Sequence, residues 1–402
     1  METAIEGWDV HQEFCAAVRL NAEGIVLARR TIPTRREDLL AEARRLSKEG
    51  IIVTMEASST AAFVRKVLAE GGARVVVGHP AAIARFRDPK VKDDWIDAKL
   101  LAELYRLGAF PAVHDPSEWA LRARDICRYR HRLGEEATEV KNRIRSVIAR
   151  QGLAEDVRSP FSRTGLTSLR RRMHNGQLPH EVGVVLRGEL ELLGQLQSLT
   201  ESVDLEVARV GADRAHEVDL LLSLRGCQIQ LATTILAEID GIDRFPTPGK
   251  LAKYAGLTPG RHASAGISRE QGITKTGSAT LRWALTMLAE CAKRWEPRVT
   301  ALYDRHREHG KKPKEAITAV ARKMVVWIWN MLRRNEPFRH EEATREEARR
   351  KWAEKTRARQ RRTNQAKAAV KVSAHSLGRI GRILEGLVEE TSDASTSTRV
   401  AG

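Results

Sequence analysis

The hydrophobic pattern of the first hundred residues alternates between the periods of strands and helices. Residues 4–10, 14–20 and 24–32 have the pattern of strands, and the polar turn NAEG joins the last two. A helix follows from about 35 to 48, then an apolar run at 51–57 typical of a buried parallel strand, a helix at 59–72 ended by glycine, and a strand at 73–80. The pattern predicts a three-stranded meander followed by strand–helix–strand units.

From about residue 117 the pattern becomes helical. Residues 117–152 form one long helical stretch, with Val140, Ile144, Val147 and Ile148 along one stripe. A second helix at 189–210 carries an apolar seam at three- and four-residue steps, made of Leu192, Leu196, Leu199, Val203, Val207 and Val210. This seam is too short for an independent coiled coil, so we expect it to pack on the first helix or on another protomer.

A third region begins near residue 217. Two helical segments lie at 218–245, and a loop rich in glycine, serine and threonine covers 256–277. Helices are predicted at 278–295 and 317–334. Beyond Pro337 the chain mixes charges of both signs with few apolar residues, which predicts a basic helical arm and a disordered tail.

These patterns predict a chain of several parts, as 402 residues also suggest. We expect an α/β domain at 1–115 with a mixed sheet, a helical coiled-coil region at 116–215 for nucleic-acid binding and dimerisation, a mostly α-helical domain at 216–338, and the arm and tail at 339–402.

Charge and cysteine content narrow the partners. Lys and Arg total 69 against 52 Asp and Glu, for a net charge of +17, which favours a polyanionic partner, nucleic acid above all. With neither a membrane-length apolar run nor a signal-peptide pattern in the sequence, we expect a cytoplasmic protein. The four cysteines stand singly, so a metal site would use oxygen ligands.

Acidic residues at strand ends and on one helix suggest such a site. Asp9 and Glu56 end the first and fourth predicted strands, and Asp94 and Asp97 share a helical face. Singly, each strand-end acid fits a solvated position and each helical acid fits the dipole at a helix N-terminus. Together, four carboxylates suit Mg²⁺, or Mn²⁺ as the second choice. Asp93 and Asp97 also share a face, so spacing alone leaves Asp93 and Asp94 as alternatives.

The same residues carry a family resemblance. GWDVHQ at 7–12 resembles the Gly-x-Asp-Val signature of the DEDD insertion-sequence transposases, the group called IS110, and MEAS at 55–58 and DWIDAKLLAEL at 94–104 resemble its second and third blocks. The third block of that family reads Asp-x-x-Asp-Ala, which favours Asp94 over Asp93.

A second conserved region of that family resembles residues 245–289, where AGLTP is followed by a serine–glycine element and ITKTG. The nucleophilic serine of the family falls on Ser264. The serine–glycine pair is interrupted here by Ala265, so Ser268 stays an alternative. The Pro-Gly-Ile-Gly turn of the family is Arg225-Gly226-Cys227-Gln228, and a common lysine is replaced by Gln12. The resemblance covers roughly residues 4–335.

The resemblance implies an RNase H-like, RuvC-like first domain with catalytic and metal-binding Asp9, Glu56, Asp94 and Asp97, and a later domain bearing Ser264. It implies a recombinase that cuts and rejoins donor and target double-stranded DNA through a phosphoserine link. It also implies a structured non-coding guide RNA, and a homo-oligomer, dimer or tetramer, in which the serine of one subunit meets the carboxylates of another.

Basic residues are candidates for nucleic-acid contacts. Phosphate contacts of this kind are salt-sensitive and carry no sequence information, and each cation alone also fits a solvated surface. The candidates are Arg122, Arg128, Lys141 and Arg145 in the long helix and Arg261, Arg269, Lys275 and Arg282 around the serine loop.

Two other functions stay open at this stage. A junction-resolving nuclease would use metal-activated water and leave Ser264 without a role. A catalytically inactive nucleic-acid-binding protein would keep the fold for binding alone.

Overall fold

The computed structural model describes residues 4–87, 93–153, 159–264 and 267–340. Within these ranges it describes the side chains of all residues except those in 261–271. The chain divides into two compact units, Met1–Ser117 and Glu118–Gly402. The predicted arm and tail lie outside the described residues, except for 339 and 340.

A five-stranded mixed sheet forms the centre of the first unit. Its strands are β1 (Ile5–Val10), β2 (Phe14–Leu20), β3 (Val26–Pro33), β4 (Ile52–Glu56) and β5 (Arg74–Gly78). Their order is β3-β2-β1-β4-β5. β2 pairs antiparallel with β1 and β3, whereas β4 pairs parallel with β1 and β5. The predicted meander and the mixed sheet are confirmed.

Helices cover both faces of this sheet. They are α1 (Arg36–Glu49), α2 (Ser59–Glu70), α3 (Pro80–Ile83) and α4 (Asp94–Arg106). The apolar sides of α1 and α2 pack with Trp8 and Met55 in one core, whereas Ala98 and Ala102 of α4 pack with Val18 on the opposite face. Alternate residues of β1 therefore face different helices, as a strand period of two requires.

The described part of the second unit is mostly helical, as predicted. Its helices are α5 (Glu118–Arg150), α6 (Arg163–His174), α7 (His180–Ala212), α8 (Ala215–Leu222), α9 (Ile229–Ile239), α10 (Pro248–Tyr254), α11 (Ala279–Ala292), α12 (Pro297–Glu308) and α13 (Pro313–Arg334). One core contains residues of α9, α11 and α13 together with Trp119 and Ala123 of α5. Residues of the second and third predicted regions thus share a core.

The long helices α5 and α7 pack on each other within the chain. Ile144 and Val147 of α5 share a core with Leu196, Val203 and Val207 of α7, so the predicted packing of the second helix on the first is confirmed.

The predicted seam of α7 is wrong at two positions. Leu192 and Leu199 are 39% and 41% exposed, and Leu193 is buried where Leu192 was expected. In an α-helix with 3.6 residues per turn, Leu192 and Leu199 lie on the face next to the buried one. A coiled coil as such stays a prediction.

Several elements were not predicted. The loop at 256–277 contains an antiparallel pair, β6 (Pro259–Ser264) and β7 (Ile267–Ile273). No helix was predicted for the segments of α3, α6, α10 and α12 either.

Among the described residues, no helix combines the length and the apolar character needed to cross a membrane.

Candidate active site

The ends of two parallel strands place the first two predicted carboxylates. The β1–β4 register pairs Trp8 with Met55, so Asp9 and Glu56 come next on adjacent strands. Both side chains are partly exposed, whereas Trp8 and Met55 are fully buried. The sequence places them there because a buried apolar run ends at each carboxylate, at the same edge of the sheet.

Helix α4 brings the other two carboxylates to this edge. A Cβ atom at Gly7 would lie 1.9 Å from the carbonyl oxygen of Ala98, so the helix backbone packs directly on β1 where the side chain is missing. This close approach places the first turn of α4, with Asp94 and Asp97, near the end of β1. The glycine two residues before Asp9 thus positions the helix that completes the site.

Asp93 has the alternative role, that of an acidic residue stabilising a helix N-terminus. Its Oδ1 accepts hydrogen bonds from the backbone N–H groups of Trp95 (2.8 Å) and Ile96 (3.1 Å), so Asp93 is the N-cap of α4. The capping interpretation of Asp93 is confirmed.

His11 lies between Asp9 and Asp94. Its Nε2 is 3.1 Å from Asp9 Oδ2 and 3.3 Å from Asp94 Oδ1. His11 stands in the turn between β1 and β2, where its N–H donates to the Phe14 carbonyl at 2.9 Å. The turn thus places the His11 imidazole beside the Asp9 carboxylate near the end of β1.

Arg87 joins the remaining pair. Its Nη2 donates to Glu56 Oε2 at 2.5 Å, and its Nε donates to Asp97 Oδ1 at 2.8 Å. The four carboxylates therefore form two pairs, each bridged by a nitrogen-bearing side chain, Asp9 and Asp94 by His11 and Glu56 and Asp97 by Arg87.

Burial has the largest effect on the ionisation of Asp9, and charged neighbours of both signs modify it. Burial raises the pKa of Asp9; His11 opposes this rise, the charges of Asp97 and Asp94 add to it, and Arg87 opposes it. A carboxyl whose pKa is raised by desolvation and like charges is a group that a bound cation would stabilise in its ionised form.

The residues present fit a divalent cation. One ligand atom from each of Asp9, His11 and Asp94 lies within 4.8 Å of the other two, and Glu56 and Asp97 supply further carboxylates. Carboxylate oxygens are the donors that Mg²⁺ and Mn²⁺ prefer.

Sequence reasoning missed His11 and Arg87. His11 follows Asp9 by two residues at the start of a tight turn, and the reversal of the chain at that turn was a usable signal. Arg87 follows a short helix and a 3₁₀ turn, and no periodic pattern predicts where the chain goes after them.

Ser264 is the last residue of β6. The register pairs Ser264 with Ile267 and Ala263 with Ser268, so the two candidate serines occupy adjacent rungs of the ribbon. The side chains of Arg261 and Arg269 lie outside the described set. Ser264 and the carboxylates belong to different units.

Of the basic candidates in α5, two are held by acids. Arg128 donates to both carboxylate oxygens of Glu238, at 2.9 and 3.1 Å, and Arg122 pairs with Asp213 at 3.3 Å on the surface. Lys141 and Arg145 lie over the ring of Phe161 at 5.9 and 5.0 Å.

The two described candidates near the serine ribbon differ. Arg282 donates to the carbonyls of Ala255 and Lys275, at 3.3 and 3.1 Å, and so supports the turn that follows β7. Lys275 is exposed, with a left-handed backbone (φ 55°). Lys275 is therefore better placed than Arg282 to reach a phosphate.

Comparison with known families finds two matching models. The model for the DEDD transposases of IS110, described as "Transposase", matches residues 6–151, and one described as "Transposase IS116/IS110/IS902 family" matches residues 218–304. The first region contains the four carboxylates and the second contains Ser264.

Individual relatives agree with these matches. A Sinorhizobium fredii protein named as a transposase, y4qE, is 26% identical over 71% of this chain and 76% of its own length. The pilin gene-inverting protein of Moraxella bovis is 32% identical over 31% of this chain and 39% of its own.

A solved structure of T. thermophilus RuvC with a Holliday junction substrate aligns with 28% of this chain and 99% of its own, at 11% identity and a TM-score of 0.23. A TM-score this low supports no conclusion about the chain. The two family models, in contrast, match two separate regions of this single polypeptide, and the chain therefore belongs to the IS110 transposase family.

Proposed function

We propose that this chain cuts and rejoins DNA through Ser264, at a divalent-metal site made by Asp9, Glu56, Asp94 and Asp97. The family is one of DNA transposases, and its DEDD domain implies dependence on a divalent ion. The observation that carries the proposal is the convergence of these four carboxylates on one edge of the sheet.

The chemistry follows from an oxygen nucleophile and a phosphodiester. The Ser264 hydroxyl forms a bond to phosphorus, one bridging oxygen of the DNA leaves with a proton, and the phosphoserine ester keeps the phosphate for rejoining. The reverse attack by a DNA hydroxyl releases the serine. A bound divalent ion would polarise the phosphate and lower the pKa of the attacking hydroxyl.

Ser264 needs such help, since a serine hydroxyl is a weak nucleophile at neutral pH. The carboxylates belong to the other unit, and the family resemblance supports a homo-oligomer, dimer or tetramer, in which one subunit supplies the serine and another the metal site. Mg²⁺ is the proposed ion, with Mn²⁺ as a substitute.

The partners of the proposed reaction are two DNA duplexes and a structured guide RNA. The net charge of +17 supports a polyanionic partner of either kind. Sequencing the RNA that copurifies with the protein tests this part, and the proposal requires an RNA encoded beside its gene. Recovery of only unrelated cellular RNA would remove the guide.

The covalent link gives the decisive test. The protein is incubated with element-end DNA, copurified RNA and Mg²⁺, digested with protease, and the DNA is run on a denaturing gel. We expect a peptide–DNA adduct that Ser264→Ala removes and Ser268→Ala keeps. These variants are matched controls, because the two serines occupy adjacent rungs of the same ribbon.

Other outcomes identify other functions. Cleavage that survives Ser264→Ala but not Asp9→Asn would indicate a nuclease that uses water. Binding without cleavage under any divalent ion would indicate an inactive nucleic-acid-binding protein. Loss of the adduct only in Ser268→Ala would move the nucleophile to that residue.

A further inference from the structure

The imidazole of His11 contacts two of the four carboxylates through one nitrogen. Nε2 lies 3.1 Å from Asp9 Oδ2 and 3.3 Å from Asp94 Oδ1. A single N–H points in one direction and makes one well-aligned hydrogen bond, so hydrogen bonding satisfies one of the two contacts better than the other. The Asp9 contact has hydrogen-bond geometry, and two contacts of similar length at one nitrogen are also the arrangement of ligands that surround a common point.

The spacing of these atoms agrees with one ion. An octahedral cation with ligands at about 2.1 Å separates neighbouring ligand atoms by about 3 Å. The two separations from His11 Nε2, 3.1 and 3.3 Å, are close to this value. One ligand atom from each of Asp9, His11 and Asp94 lies within 4.8 Å of the other two, so the three residues can bind the same ion with little movement.

Contacts unrelated to the carboxylates also fix the position of His11. Its backbone N–H donates to the Phe14 carbonyl at 2.9 Å, and Thr34 Oγ1 donates to its carbonyl at 3.0 Å. Its ring packs against the Phe14 ring, with centroids 5.0 Å apart. The hairpin therefore holds the imidazole at the carboxylates, which is the pre-organisation that a metal ligand requires.

We propose that His11 is a metal ligand of this site, binding one ion through Nε2 together with Asp9 and Asp94. This inference rests on the proposed function, since it assigns a fifth ligand to that site. It distinguishes a first position at Asp9, His11 and Asp94, where the ion binds, from a second at Glu56 and Asp97, whose carboxylates Arg87 already holds. Imidazole suits transition metals better than Mg²⁺, so the first position prefers Mn²⁺.

Electron spin-echo spectroscopy of bound Mn²⁺ tests the assignment directly, because it detects a nitrogen nucleus bonded to the ion. The full-length protein is freed of metal and loaded with one equivalent of Mn²⁺. We expect ¹⁴N modulation in the wild type, its loss in His11→Asn and in His11→Gln, and its retention in His79→Asn. His79 is an exposed histidine of the same unit and serves as the matched control.

Affinity provides a second readout that does not depend on activity. Loss of this ligand should weaken Mn²⁺ binding by on the order of 10-fold or more and Mg²⁺ binding by less. Thermal melts of the metal-free variants confirm that they fold. Two substitutions are used so that one misfolded variant does not decide the result.

The outcomes separate the two proposals. Mn²⁺ bound to the wild type without ¹⁴N modulation, or modulation that persists in both His11 variants, overturns the role of His11. If the wild type still forms the Ser264–DNA adduct in that case, the proposed function stands. A wild type that binds no Mn²⁺ and forms no adduct overturns both.

Discussion

Two carboxylates of β1 have opposite environments. Glu6 is buried and accepts hydrogen bonds from Trp8 Nε1 (3.1 Å), Arg19 Nε (2.9 Å) and Arg45 Nη2 (3.0 Å). Asp9, three residues later, lies near His11 as well as Asp94 and Asp97, and burial raises its pKa. Glu6 therefore has the cations that a buried charge needs, whereas Asp9 is poorly stabilised without a metal ion.

This difference predicts how stability depends on pH at Asp9. Its folded pKa lies above the ordinary value of 3.8, so ionised Asp9 destabilises the folded state at pH values above the raised pKa. Asp9→Asn should therefore unfold at higher urea than the wild type at pH 7 in EDTA, and the gain should shrink as the pH falls through the raised pKa toward 3.8. A gain that grows on acidification would contradict the assignment.

The neighbouring aspartates of α4 give a matched pair. Asp94→Asn should lower DNA cleavage by at least about 100-fold, more than the 10- to 100-fold typical of losing an outer-shell partner. Asp93→Asn should leave cleavage unchanged and stability within about 0.5 kcal/mol, because asparagine caps a helix as well as aspartate does. Cleavage rates and urea midpoints check both, and equal losses of cleavage would remove the distinction.

At the scale of elements, the contact between β1 and α4 depends on Gly7. A methyl group there would overlap the Ala98 carbonyl, so Gly7→Ala must push the helix away from the strand. We expect a loss of about 3 kcal/mol or more in the free energy of unfolding, at the upper end of overpacking, together with weaker Mn²⁺ binding.

Gly134→Ala is the matched control for Gly7→Ala. It lies within α5, where the nearest atom to an added Cβ is a flexible arginine nitrogen at 3.6 Å, and it should gain about 0.5–1 kcal/mol. Unchanged metal binding in Gly7→Ala would show that α4 is not positioned by this glycine.

The contact of α5 with α9 and α11 depends on another buried acid. Glu238 accepts from Arg128 and, at 2.9 Å, from the Ser278 hydroxyl at the start of α11. Arg128→Ala should cost about 3 kcal/mol, because it leaves the Glu238 charge buried. Arg122→Ala should cost less than about 1 kcal/mol, since its pair with Asp213 is exposed.

Urea unfolding and nucleic-acid affinity, measured on both variants, separate a structural from a binding role. A large stability loss in Arg122→Ala with none in Arg128→Ala would contradict this view of the two pairs.

Elements with a regular hydrophobic period can be predicted from the sequence, whereas irregular turns and loops cannot. Asp9, Glu56, Asp94 and Asp97 end or begin apolar periodic segments, so their placement was predicted from the sequence. His11 and Arg87 depend on a turn and on the path of a short loop, which no period describes. The β6–β7 ribbon was missed because backbone pairing does not require apolar side chains, and this segment has few.

At the scale of the whole molecule, the last described residues, 338–340, pack against other parts of the second unit. Phe338 is buried in the α9–α11–α13 core. His340 Nδ1 lies 2.8 Å from Glu296 Oε2, and its Nε2 lies 2.8 Å from the Ser223 carbonyl. His340, two residues beyond the predicted boundary after Phe338, is therefore held by Glu296 and Ser223 of the second unit.

Truncation tests this anchoring. Compared with a chain that ends after His340, one that ends after Phe338 should lose about 1–3 kcal/mol of stability, because the buried Glu296 loses a charge-assisted hydrogen bond. Thermal and urea melts of the two truncations check this, and equal stability would show that His340 contributes nothing.

The docking of α4 at Gly7 also gives the site an order of assembly during synthesis. Asp9 and Glu56 come from strands that a growing chain makes first, whereas Asp94 and Asp97 arrive on the last helix of the unit. Domains generally fold as units, the N-terminal ones first, as the ribosome releases them. In the proposed mechanism, a nascent chain therefore holds half of the cation site until α4 reaches the sheet, and only a completed fold would break a DNA strand.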